Sequence, residues 1–575
     1  MKYLRITILL LMMPVALFSQ QTGTVSRSEL FREGNEVYFS FSIPDQSVLN
    51  DLTRVVSIDD VKGTKVYAYA NRGQFERFLS LGYPYEILTP PGKLLDPGEF
   101  LHGAIQKSET GLTIWNFYPT YDEYITFMNG FASEHPGICK LINFGTTVQG
   151  RQLLAVKISD SVNEKQGEAE VFLTSSMHGD ETTGYVLMLH LIDYLLTGYG
   201  NDPAITDMVD HLEIYINPLA NPDGTYHGGN GSVYGAQRYN ANGVDLNRNY
   251  PDPKGGPHPD GNDWQPETIA FMAFADSTEF VMSMNFHGGA EVFNYPWDTW
   301  YYPRIHADDA WWQFVGREYA DTVHLYGPTG YFNDLDNGVT RGSDWYSIEG
   351  GRQDYTTYFK HGREVTLEIS NTKILPASQL LNYWNYNYRS FLNYIEEASF
   401  GINGQVTDSV TGQPLNAKVF IFGHDLDNSF IYSKLPSGWY FRPIDEGSWD
   451  VSFMADEYFP RTIAGINVTR WNTTRVNVKL VPLNIGGTGN QGPIATFLVY
   501  PNPSTGTVHL ILPDDRQGKY ELRIFNTEGI CCLAGTMDVI PGKVNTLNMG
   551  SLAKGIYHIS LTSGMEHLNS RVVIR

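Results

Sequence analysis

Met177-His178-Gly-Asp-Glu181 puts an imidazole and a carboxylate three residues apart, where an apolar stretch (Ala169 to Ser175) gives way to a helical one from about Thr182 to Leu196. A strand end fixes side chains while leaving them exposed at the edge of a sheet, so His178 and Glu181 can offer one nitrogen and one oxygen to a single ion. A catalytic zinc takes three protein ligands and keeps a fourth position for water. An isolated H-x-x-E marks a surface turn more often than a metal site, so the reading depends on its company. His287 supplies a third ligand. It ends the apolar stretch Phe280 to Phe286 and precedes Gly288 and Gly289, which permit close backbone approach to a bound group. Glu368 lies inside Val365-Thr-Leu-Glu-Ile369, a strand expected to be buried, where an unpaired carboxylate is costly. It is either paired structurally or an acid–base group with a displaced pKa. Asn247 and Arg248 stand side by side in Gly243-Val-Asp-Leu-Asn-Arg-Asn249 and suit a carboxylate gripped at two points. A single arginine more often makes a surface ion pair.

Such groups need a rigid frame, and the surrounding pattern supplies one. From about residue 110 to 400, short apolar runs alternate with amphipathic helices, the signature of an α/β fold with helices covering a sheet. Leu212 to Ile216, Val281 to Phe286 and Val365 to Ile369 read as further strands. A helix from about Pro376 to Glu397 carries Leu380, Leu381, Trp384, Tyr388, Phe391, Leu392 and Ile395 at helical spacing. Upstream, Val37 to Phe41 and Thr64 to Ala70 read as strands and Gln74 to Leu81 as a helix, giving a small α/β N-terminal region. Beyond 400 the pattern turns all-β, as two small sandwiches separated by the flexible Ile485-Gly-Gly-Thr-Gly-Asn-Gln-Gly-Pro493. The expected boundaries are 21–105 for a prodomain-like N-terminal region, 106–400 for the catalytic unit, 401–482 for the first sandwich, 483–495 for a linker and 496–575 for the second.

H-x-x-E at 178 and 181, N-P-D-G at 221 to 224, G-V-D-L-N-R-N at 243 to 249 and H-G-G at 287 to 289 follow in an order that resembles the zinc metallocarboxypeptidase (funnelin) family. Gln353-Asp-Tyr355, Thr366-Leu-Glu-Ile-Ser370 and Pro376-Ala-Ser378 point to its regulatory N/E subgroup. Gly404-Gln-Val-Thr-Asp408, Gly412-Gln-Pro-Leu415 and Gly438-Trp-Tyr-Phe-Arg442 resemble the transthyretin-like sandwich that follows the catalytic unit there. The resemblance spans about 110 to 482 and implies a mixed β-sheet flanked by helices, one Zn2+ ion, and release of one residue from peptide or protein C-termini. His178, Glu181 and His287 would bind the zinc, with Asp245 orienting His178 from behind. Glu368 would be the general base toward the attacking water, and Arg238 would stabilise the oxyanion. Asn247 and Arg248 would hold the terminal carboxylate, and Tyr346 would close over it. Asp298, in Asn294-Tyr-Pro-Trp-Asp298, and Gln353 would give a preference for terminal Lys or Arg, because a carboxylate left without a cation penalises apolar residues. Two alternatives stay open: the same chemistry with broad or apolar specificity, and an inactive peptide-binding module. At Asn371 the subgroup's usual cysteine is absent, and Thr299 to Asn337 has no template.

The ends of the chain concern export. Lys2 and Arg5 precede an apolar run from Ile6 to Phe18, with Ser19 as a small residue, so residues 1–20 read as a secretory signal peptide. No later stretch reads as a membrane span. Tyr500-Pro-Asn-Pro-Ser-Thr-Gly506, Lys554-Gly-Ile-Tyr557 and Val572-Val-Ile-Arg575 resemble the C-terminal sorting domain of the type IX secretion system, so that machinery is an expected partner and the protein is expected to be secreted or on the cell surface. A formal charge of −23, from 40 Lys and Arg against 63 Asp and Glu, argues against nucleic acid. Three cysteines cannot build a disulfide framework, so the fold must rest on its buried core.

Overall fold

The computed structural model describes residues 30–32, 34–100, 105–109, 111–421, 423–482, 495–512, 516–527, 530–540, 543–564 and 566–575. The signal-peptide reading at 1–20 and all but the last residue of the expected linker at 483–495 lie outside these.

The catalytic unit is built on one eight-stranded mixed sheet. Across it run Val339–Arg341, Glu291–Tyr295, Arg363–Ile369, Met282–His287, Ala169–Ser175, Leu212–Asn217, Gln152–Ile158 and Cys139–Thr146. The middle of the sheet, from Arg363–Ile369 to Leu212–Asn217, is parallel, and antiparallel pairs flank it. Parallel strands covered on both faces read as continuous apolar runs, and every residue of Ala169–Ser175 and Met282–His287 is buried. Helices Thr183–Gly198, Asp309–Tyr326 and Leu380–Glu397 pack their aromatic and aliphatic residues on the sheet within one core that includes Met188, Trp312 and Phe391. The stretch without a template thus holds an ordered helix, Asp309–Tyr326, whose Trp312 and Tyr319 join that core.

Strand ends match the reading from sequence to within two residues. The last helix differs slightly: a short 3-10 turn, Ala377–Gln379, capped by Pro376, precedes Leu380–Glu397.

The N-terminal unit is a four-stranded antiparallel sheet, ordered Ser57–Lys62, Lys65–Ala70, Val37–Ser42, Tyr85–Ile87, with the helix Arg72–Ser80 and a single helical turn, Leu49–Leu52. Asn71 and Gln74 form a reciprocal cap on that helix, satisfying two backbone donors at its start. Phe39, Phe75 and Phe78 centre its own small core. Residues 401–482 fold as two facing sheets, of five and four strands, around Val406, Tyr440 and Phe453. This sandwich is clamped to the catalytic unit by Asp308, whose carboxylate accepts from Arg363 Nε (2.9 Å) and from both terminal nitrogens of Arg442 (3.0 and 2.9 Å). Asp308, His424 and Asp425 cluster closely enough to hold a metal, but the two guanidiniums already supply the cations there. Residues 495–575 form five- and three-stranded sheets around Leu510, Ile524 and Ile559.

Candidate active site

Three parallel strands deliver the central groups. Ser175 stands opposite Phe286 in register, and Glu368 stands opposite His287. The carboxyl ends of Ala169–Ser175, Met282–His287 and Arg363–Ile369 therefore open onto one crevice, the place where open α/β sheets bind ligands. His178 follows the first of these strands, across a left-handed turn at Ser176 (φ 57°). The next residue has to be glycine, because a Cβ at Gly179 would fall 2.4 Å from the backbone of Gly224 and Thr225. Asn221 of the N-P-D-G turn ties this corner together by donating to the carbonyls of Met177 (3.2 Å) and Arg238 (3.3 Å).

His178, Glu181 and His287 converge. The two Nδ1 atoms lie 3.0 Å apart; Glu181 places Oε1 3.0 Å from His178 Nδ1 and Oε2 2.8 Å from His287 Nδ1. All three residues are buried, and their ligand atoms lie within 4.8 Å of one another. Two imidazoles and a carboxylate in that arrangement are the donor set of a catalytic zinc. The far nitrogens are oriented as metal-bound histidines require. His178 Nε2 faces Asp245 Oδ1 at 3.0 Å. His287 Nε2 faces the amide of Asn285 at 2.8 Å, and the oxygen of that amide is otherwise buried without a partner. Turned end for end, the amide accepts the Nε2 hydrogen and leaves Nδ1 bare toward the site. Burial holds the His287 imidazole down to about 4, so it is neutral and able to donate its lone pair. Burial alone would push the Glu181 carboxyl up, but His178, Lys373 and His287 outweigh it and hold the group well below the usual range.

The other predicted residues surround this trio. Glu368 lines the cleft with Oε2 buried and unpartnered. Burial, and then the Glu181 charge, push its carboxyl well above the ordinary carboxylate range, against the pull of Lys373 and Arg238. Arg238 donates from Nε to Asp245 Oδ2 (3.2 Å) and from a terminal nitrogen to Glu181 Oε1 (3.2 Å). Asn247 and Arg248 sit on the short 3-10 turn Leu246–Arg248, which Asp245 caps through the Asn247 N–H (2.9 Å). Tyr346 and Asp298 also line the cleft. Gln353 does not. Its amide oxygen accepts from the Thr366 N–H at 2.7 Å, which turns the side chain onto the Arg363–Ile369 strand rather than into the cavity. The expected partnership of Gln353 with Asp298 is therefore not a direct contact.

Sequence reading missed three groups. Lys373, five residues beyond Glu368, is buried with Nζ 2.6 Å from Glu181 Oε1. Asp59 of the N-terminal unit reaches the same ammonium at 2.7 Å, and with Ile58 it lines the cleft. Asn294, three residues before Trp297 in the Asp298 motif, presents its side chain to the cavity. A lysine close behind a buried carboxylate was a signal available in the sequence. Nothing in the spacing could have announced Asp59, which lies 119 residues upstream of His178.

Comparisons with known proteins agree with this geometry. Residues 124–390 match the profile of the zinc carboxypeptidase family, and residues 498–575 that of the secretion system C-terminal sorting domain. Carboxypeptidase D of Anas platyrhynchos is 33% identical over 407 residues, which are 67% of this chain and 28% of that protein. The catalytic chain of carboxypeptidase N of Homo sapiens is 33% identical over 400 residues, 63% of this chain and 85% of that one. The chain thus spans little more than a quarter of the length of the carboxypeptidase D relatives. Among solved structures, carboxypeptidase A from Helicoverpa armigera is similar at 15% identity and a TM-score of 0.49, covering 62% of this chain and 96% of that one. Ligand geometry, profile match and near full-length similarity to carboxypeptidase N place the chain in the zinc carboxypeptidase family, among relatives of the regulatory N/E subgroup.

Proposed function

We propose that this protein is an exported carboxypeptidase that releases a C-terminal Arg or Lys from peptides. The observation that carries the reading is a single cleft holding His178, Glu181, His287 and Glu368 together with a buried carboxylate, Asp298, that makes no ion pair among the described residues. His178, Glu181 and His287 would hold the zinc, which when bound would supply Lewis acidity toward a water and the scissile carbonyl. Asn247 and Arg248 grip the terminal carboxylate of the substrate, so only a chain end is positioned for cleavage. Tyr346 closes over that end. Glu368 removes a proton from the attacking water and returns it to the departing amine. Its raised pKa suits both halves of that task. Arg238, already fixed by Asp245 and Glu181, meets the oxyanion with its guanidinium.

Turnover of peptides ending in Arg, Lys, Phe and Glu, with and without a chelator, tests this reading. Chelation is expected to abolish turnover and added zinc to restore it. Equal or faster release of Phe would overturn the basic preference in favour of the broad or apolar alternative. An inactive binding module is disfavoured by the presence of every group the chemistry needs.

Asp298 also predicts a pH signature. Burial pushes its carboxyl up to about 7, opposed by Asn294 and Arg248. Below that pH the group is neutral and has no charge to offer a cation, so kcat/KM for Arg-ended peptides should rise as pH increases through about 7. Phe-ended peptides should not share this limb, and Asp298→Asn should remove it. A shared limb would assign the titration to another group.

The remaining parts follow the same reading. The sandwich at 401–482 is proposed as transthyretin-like, supported by its two facing sheets. The match at 498–575 supports export through the type IX machinery. Residues 21–105 are proposed to act as a prodomain, because their described part sits in the cleft: Ile58 and Asp59 occupy its wall, and Tyr346 packs against the N-terminal core.

A further inference from the structure

The wall that the N-terminal unit lends to the cleft continues outward to its rim. Ile58 and Asp59 stand inside, and the segment before them lies over the loop that carries Tyr346 and Ile348. There Asn50 accepts from the Ser347 N–H at 3.0 Å, and Arg54 donates to Glu349 Oε1 at 2.6 Å. The Glu349 side chain is 15% exposed, so its charge is partly shielded from water. Its other cation among the described residues is Lys254, with Nζ 3.1 Å from the same Oε1. Both cations use Oε1, and among the described residues Oε2 accepts from neither. Lys254 also reaches the Thr299 carbonyl at 3.4 Å and stands over the ring of Tyr301, which is 52% exposed. The Tyr301 phenol borders Arg54 as well. Glu349 follows Ile348 directly and Tyr301 lies just beyond Asp298, so this acidic and aromatic rim adjoins the cleft.

We propose that Glu349 and Tyr301 form a second basic subsite at the rim, which takes an Arg or Lys side chain upstream of the scissile bond. The substrates are then peptides that carry a further basic residue close to the one released. This rests on the carboxypeptidase reading and extends it to the substrate class. Arg54 of the tethered unit is the resident stand-in for that side chain. From Ile58 in the cleft back to Arg54 the chain spans at most about 14 Å, the reach of about four extended residues, which bounds how far upstream the subsite lies. A guanidinium offers a planar fork that can engage both oxygens of a carboxylate and lie against a phenol face. Lys254 remains when Arg54 departs and offsets part of the Glu349 charge. The selectivity is therefore modest, about threefold to fivefold, as for a partly exposed ion pair.

The test uses the zinc-loaded chain, nicked between 93 and 107 and freed of the N-terminal unit. Each unit has its own core, so the catalytic unit keeps its packing after that release. Peptides ending in Arg carry Arg, Ala or Glu at one upstream position, scanned over the four residues before the last. At the favoured position, upstream Arg should exceed Ala by about threefold to fivefold in kcat/KM, mainly through KM, and Glu should fall below Ala. High salt should shrink the difference. Glu349→Gln should bring the Arg-to-Ala ratio to about one, and Lys254→Met, which removes the competing cation, should enlarge it. Glu349→Lys should turn the preference toward upstream Glu. Equal turnover at every position, or a ratio unmoved by Glu349→Gln and Lys254→Met, overturns the proposal and leaves the Arg54–Glu349 pair a docking contact. If no peptide is cleaved, the carboxypeptidase reading has failed, and calorimetric titration with the same peptides decides the rim. Tighter binding of the upstream-Arg peptide that is lost in Glu349→Gln supports the subsite; equal binding overturns it.

Discussion

Glu368→Gln is expected to lower kcat by about 10²–10⁴-fold, the usual contribution of a positioned general base. KM and zinc content should stay within about twofold, since Glu368 is not one of the three converging ligands. Gln keeps the shape and polarity of a side chain whose carboxyl burial already favours in the neutral form, so the fold should tolerate it. The checks are steady-state kinetics across pH and metal analysis of the purified variant. A Gln variant with full kcat would remove Glu368 from the chemistry and reduce it to a structural carboxylate. Loss of zinc along with activity would instead place it at the metal.

How much of this was legible in the sequence depended on what fixes each side chain. His178, Glu181, His287 and Glu368 were readable because they sit on or beside parallel strand ends, where an apolar run sets the position and the next residue leaves it. Register then does the rest: once Glu368 stands opposite His287, the two must face one crevice. The partner of Gln353 was not legible because it lies on a helix, Arg352–Phe359, where spacing gives the face but not the contact; its oxygen accepts from the Thr366 N–H. Asn294 was visible inside its motif, but its orphaned acceptor exists only once burial is known. Lys373 stood close enough behind Glu368 to be noticed, but its partner Asp59 belongs to a segment far away in the chain, and composition carries no trace of such pairing.

Release of the N-terminal unit is the second large effect expected. Its hold on the cleft is distributed. Asp59 pairs with Lys373 at 2.7 Å and accepts from the Tyr38 hydroxyl at 3.0 Å. Glu36 accepts the N–H groups of Arg238 (2.9 Å) and Tyr239 (2.8 Å), Ser57 donates to Asp245 (2.7 Å), and Tyr69 donates to Asp180 (2.5 Å). At the rim, Arg54 pairs with Glu349 at 2.6 Å, and Asn50 accepts from the Ser347 N–H at 3.0 Å. Tyr346, proposed to close over the substrate, instead donates to the Ile58 carbonyl at 3.4 Å. A peptide entering the cleft must displace Ile58 and Asp59, and it competes against a tethered occupant. With an effective concentration in the millimolar range, an intrinsic dissociation constant of about 10 μM for the unit would suppress kcat/KM about a hundredfold. Scission between 93 and 107, followed by removal of the released unit, should restore that factor. Asp59→Ala should recover part of it in the intact chain, because one buried ion pair among many contacts is lost. Arg54→Ala, at the exposed rim, should recover much less, since an exposed pair contributes about 0–1 kcal/mol. Rates measured before and after limited proteolysis decide the matter. An intact chain as active as the cleaved one would mean that the unit leaves the cleft freely, and the residues gathered around Asp59 would then serve docking rather than latency.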